Sequence, residues 1–158
     1  MVSVKLVEKF VDVVAATAKR KVVEVRDDAR TLADDIRAVS LAIRDDLIEV
    51  QRSQSRKAPN FDALWVHLIS ARVKLSAFQV KNGLIGWEGM PQHEGWRVLS
   101  MLENGIRDLG TSLDLAEENP SLLNQADTEA NRLALLCEDM RGATSLLKGT
   151  MRRRGRRG

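Results

Sequence analysis

Few residues in this chain are equipped for chemistry. Cys137, His67 and His93 are the only soft ligands from which a zinc cluster could be assembled. No spacing unites them. Cys137 sits between Leu133 and Met140 on an apolar helical stripe, where a free cysteine reads as core filler. Glu94 follows His93 directly, so the two diverge on a helix and do not form the inward Glu-x-x-His pair of a bundle metal site. The acid pairs Asp27-Asp28, Asp34-Asp35, Asp45-Asp46 and Glu117-Glu118 are also adjacent in sequence, which argues against paired catalytic carboxylates. Gly-rich phosphate loops, HExxH, CxxC and nucleophile-elbow patterns are missing. The sequence therefore predicts no catalytic residue, no metal and no cofactor, and a non-enzymatic role.

Two stretches stand out as places to bind something. Residues 83–95, GLIGWEGMPQHEG, hold four glycines, and with the adjoining Trp96 they place Trp87, Met90, His93 and Trp96 around one irregular loop. Such a loop can position a ligand because glycine permits close backbone approach, so these four are the candidate loop pocket. The same residues also read as a helix connection closing the end of a bundle. His67, in WVHL, reads as a satisfied histidine at a helix interface. The second stretch is RRRGRR near the C-terminus. Arg152, Arg153, Arg154, Arg156 and Arg157 supply positive charge for nonspecific contact with nucleic acid, an anionic surface or an acidic protein.

The elements that carry these residues are helices. The chain has 158 residues, 44% hydrophobic but only 4% aromatic, enough for one modest core built from Leu, Val, Ile and Ala. Residues 1–58 contain neither Gly nor Pro. Val4, Val7, Val11, Val14 and Ala18 recur at helical spacing, and a stutter follows Ala18. Val22, Val25, Ala29, Leu32, Ile36, Val39 and Ile43 then hold a heptad register, which Asp46 breaks and Val50 resumes. This segment reads as one long helix, continuous or bent, because no glycine supplies a reversal. A hairpin turning near Arg26–Thr31 is the alternative. The polar run Arg52–Pro59 ends the segment, and Asn60 is placed to cap the next helix.

In that next helix Phe61, Leu64, Leu68, Ala71, Leu75 and Phe78 form one face, with Trp65, Ile69 and Val73 broadening it; Gly83 suits its C-terminal end. A third helix should start near Pro91–Glu94 and run to about Glu118. Asn119-Pro120 marks the junction to a last helix through Leu123, Ala126, Ala130, Leu133, Cys137, Met140, Thr144 and Leu147, ending at Gly149. The expected fold is all-α: a four-helix bundle, or five-helix if the first segment folds back, antiparallel, over residues 1–149, with a flexible Arg-rich tail at 150–158.

Charge is unevenly spread. Residues 84–149 hold five basic side chains against eleven acids, while 150–158 hold five Arg and no acid. The body is near-neutral, unlike a uniformly basic nucleic-acid-binding fold. One cysteine, a charged N-terminal stretch and no long apolar run favour a cytoplasmic protein without a transmembrane segment. The leading expectation is a helical interaction protein, an adaptor, scaffold or small subunit, self-associating through Val22, Val25, Leu32, Ile36, Val39 and Ile43. The rivals are a nucleic-acid-associated protein using the Arg tail and a membrane-surface protein using residues 1–18.

Overall fold

The computed structural model describes residues 2–53 and 61–157, with side chains described for 2–52 and 61–147. It is all-helical: α1 (Val4–Ala18), α2 (Val22–Ser53), α3 (Asp62–Lys81), α4 (Arg97–Glu118) and α5 (Leu123–Arg157). Asn60, expected to cap α3, lies outside the described residues.

The first fifty residues form two helices, so the five-helix arrangement is the one adopted. The break falls at Lys19–Lys21, on the stutter after Ala18, and not at Arg26–Thr31. The chain turns there without glycine because Lys19 itself takes the left-handed conformation, with φ of 54°. That conformation costs a non-glycine residue about 1–2 kcal/mol. Neighbouring bonds offset the cost. The Arg20 amide donates to the Ala15 carbonyl at 3.0 Å. The Arg20 guanidinium reaches Asp28 on α2 at 2.7 Å and the side-chain oxygen of Asn82, beyond α3, at 2.6 Å. Asn82 is itself buried and donates to the Phe78 carbonyl. At the other end of α1, the Ser3 hydroxyl accepts from the Leu6 amide at 3.1 Å, an ordinary N-cap.

Helices α2 to α5 form an antiparallel body. Arg141–Asp34, Arg37–Glu138 and Arg44–Asp127 step in opposite directions along α2 and α5. Lys81–Asp28, His67–Asp46 and Lys74–Asp35 do the same for α2 and α3. Gln79–Glu103 and Trp65–Glu117 do so for α3 and α4. Between these polar seams the apolar faces meet in one core, in which Ile36, Ile43, Leu64, Leu68, Leu102, Leu109 and Leu133 are almost wholly buried.

Helix α1 lies across one end of this body. Phe10 is fully buried and stacks on Phe78 with centroids 5.9 Å apart. Lys9 pairs with Glu94, and the Val2 amide faces Asp139 of α5 at 3.4 Å. Gly95 makes this seat possible. A Cβ on Gly95 would sit 2.6 Å from the Lys9 carbonyl oxygen and 2.9 Å from the Phe10 Cα.

Two expectations about helices need correction. Val25, Leu32, Ile36 and Ile43 are at most 3% exposed, with Val22 and Val39 partly buried against the same core. The seam assigned to association is therefore used inside the chain, because α2 packs against both α3 and α5. The backbone of α5 also passes Gly149 and continues to Arg157. A glycine weakens a helix by roughly 1 kcal/mol but does not end it unless the chain must turn there.

Candidate functional site

Each residue singled out for chemistry has a structural occupation. Cys137 is fully buried, and burial pushes its thiol up to about 12, so it is protonated and shielded at neutral pH. His67 Nε2 lies 2.9 Å from Asp46 Oδ2 across the α2–α3 seam. Asp46 thus serves as a half-exposed partner, and Leu47 fills the core position beside it. Among the described residues no group of three or more His, Cys, Asp or Glu could hold a metal ion.

The 83–96 connection does bring Trp87, Met90, His93 and Trp96 together. They line an open groove of about 590 Å³ with Glu88, Gln92 and Glu94. Two one-turn 3₁₀ helices, Trp87–Gly89 and Glu94–Trp96, shape it. Their side chains are committed to holding the connection. His93 Nδ1 accepts the Gly95 amide at 2.9 Å, and Trp87 Nε1 donates to Glu103 of α4 at 3.3 Å. Trp96 is only 6% exposed, and its ring lies 6.2 Å from that of Trp87. Glu94 is held by Lys9, whose hydrogen bond lowers the carboxyl below its usual range. The groove closes the bundle end beside α1.

The feature that sequence reading missed lies on α3. Phe61, Leu64, Leu68, Ala71, Leu75 and Phe78 face the core as expected. Ile69 and Val73 do not broaden that face. They join Val66 and Val80 on the opposite side of the helix, at exposures of 64% for Val66, 54% for Ile69, 58% for Val73 and 62% for Val80. The steps between them, 66 to 69 to 73 and on through Ser76 to 80, alternate three and four residues. That is a narrow second seam spanning about 21 Å at 1.5 Å per residue. Ala63, Ser70 and Ala77 run along its α2 side as small neighbours. The legible signal was β-branched residues at heptad spacing on the face away from Leu64 and Leu68.

No protein family, curated protein or solved structure matches the chain.

The surroundings of the α3 seam are polar and mostly paired on one side. Towards α2, Lys81 lies 3.1 Å from Asp28 and Lys74 lies 3.9 Å from Asp35. Arg20 shares the Asp28 carboxylate. Burial pulls that group up, but the hydrogen bonds from Arg20 and Lys81 prevail and hold it below the usual carboxylate range. Towards α4, an open groove of about 360 Å³ is lined by Arg72, Gln79, Glu103, Arg107 and the edges of Leu75 and Ile106. Arg72 forms no ion pair among the described residues, while Glu103 is engaged by both Gln79 and Trp87.

The side chains of Arg152, Arg153, Arg154, Arg156 and Arg157 lie outside the described residues. No described helix is long and apolar enough to cross a membrane. The apolar face of residues 4–18, a candidate lipid-facing surface, is instead turned inward, with Leu6, Val7, Phe10, Val11 and Val14 buried.

Proposed function

We propose that this chain is a non-enzymatic helical interaction protein, an adaptor, scaffold or subunit of a larger assembly, and that it docks a helix on the outer face of α3. The observation that carries this reading is the line Val66, Ile69, Val73 and Val80, four aliphatic side chains each more than half exposed on one helix face. Single exposed aliphatics are common on protein surfaces, but an aligned set marks an association surface. A three-four spacing, here with Ser76 at one position, is the signature of a seam between helices. The chemically capable residues, by contrast, are each used to hold the fold together.

A photo-crosslinking residue at position 69 tests the proposal in the cells that make the protein. It is expected to give a discrete adduct, which Val73→Glu removes. The same residue at Arg132, exposed on α5, should give none. An adduct of twice the chain mass would identify self-association. No adduct at position 69, or the same pattern from both positions, would overturn the docking role of α3.

A further inference from the structure

Resting on the docking role of α3, we propose that its occupant is an amphipathic helix of a separate protein, apolar at heptad spacing and acidic along the flank that meets Arg72 and Arg107. The width of the seam selects a helix. It is one residue wide, built from Val and Ile, with Ala63, Ser70 and Ala77 beside it to admit a close backbone. A lipid-surface helix presents a broader apolar face, rich in Trp, Phe and Leu. No aromatic residue stands on this seam.

Charge then selects among helices. On the α2 flank the lysines already have partners in Asp28 and Asp35. On the α4 flank two guanidinium groups, Arg72 and Arg107, share a groove with one carboxylate, Glu103, which is occupied by Gln79 and Trp87. Arg107 donates to Asn104 at 2.8 Å and pairs with Asp108 at 4.0 Å, both on its own helix. A docked helix carrying Glu or Asp on that side would give Arg72 the counter-ion that it lacks among the described residues. A second copy paired antiparallel offers the wrong complement, because pairing about the middle of the seam places the two Arg72 groups side by side. Like charges at an interface select against the pairing.

The test uses the full chain and two synthetic peptides of about three heptads, each with Ile and Leu on the seam positions, one flanked by Glu and the other by Lys. Binding is read by fluorescence anisotropy at low salt. The Glu peptide is expected to bind about tenfold more tightly than the Lys peptide, with the gap narrowing as salt screens it. Arg72→Glu should reverse the order, and Val73→Glu and Val80→Glu should each abolish binding of both peptides while leaving the circular dichroism spectrum unchanged. Equal binding of the two peptides, lost in both seam variants, would overturn the acidic partner but keep the docking face. Binding by neither peptide, or binding indifferent to both seam variants, would overturn the docking face itself. Sedimentation showing a concentration-dependent dimer that Val73→Glu dissociates would replace the partner with a second copy. Flotation on phosphatidylserine vesicles that Val73→Glu removes would replace it with a membrane.

Discussion

At the scale of single residues, the polar side chains of this protein secure joints between helices. Arg20 is the clearest case, since one guanidinium ties the α1–α2 turn to α2 through Asp28 and to the end of α3 through Asn82. The consequence for pH follows from Asp28. Its folded-state pKa lies below its ordinary value, so its contribution to stability is fully present above about pH 4 and is lost as pH falls through the folded value. Asp28→Asn should therefore lower stability at neutral pH and flatten the acid limb of the stability profile, measured by urea denaturation across a pH series. An unchanged acid limb would assign the acid sensitivity to other carboxylates. Residue types were readable from the sequence, and the quiet roles of Cys137 and His67 were expected. The Arg20–Asp28–Asn82 joint was not, because its members lie eight and sixty-two positions apart from Arg20.

Among the helices, α1 is the one whose place depends on a single atom's absence. Its backbone rests directly on Gly95, so a methyl group there would press on main-chain atoms that cannot rotate away. Gly95→Ala is expected to cost on the order of 1–3 kcal/mol, as overpacking does. Gly142 in α5 is the contrasting site. A Cβ there meets nothing within 4 Å, so Gly142→Ala should stabilise by roughly 0.5–1 kcal/mol through helix propensity. Opposite shifts of the chemical-denaturation midpoint would bear out both; a neutral Gly95→Ala would mean that α1 is seated otherwise. Helix boundaries were largely visible beforehand. Asn119 and Pro120 punctuate α4 and α5 as expected, with the Asn119 side chain accepting the Ser121 amide, and Gly83 takes its left-handed position after α3. The α1–α2 turn was misplaced because glycine was taken as the requirement for a reversal, whereas tertiary bonds hold Lys19 in the left-handed region.

At the scale of the whole molecule, two apolar seams exchanged the roles that periodicity suggested. The long N-terminal seam was expected to recruit another chain, and it is enclosed by α3 and α5. The outward seam belongs to α3, whose face towards the core is also apolar. Stability and association should consequently separate. Val73→Glu removes an exposed side chain and is expected to change unfolding free energy by no more than about 0.5 kcal/mol, since surface changes rarely do more. Ile36→Ala in the core should cost about 2–5 kcal/mol. A large loss of stability from Val73→Glu in denaturant titration would mean that the seam supports the fold instead of a partner.

The sequence by itself determined the all-helical class, the approximate spans of α3, α4 and α5, and the roles of Gly83 and Asn119 at their junctions, because periodicity and helix-end chemistry are local. Tertiary structure alone decided where residues 1–53 turn and which of several apolar stripes face inward. The stripes share helical spacing along the chain, which does not say which of them faces inward. Burial is assigned only when the helices meet, and on α3 the meeting with α2 and α4 leaves Val66, Ile69, Val73 and Val80 outside.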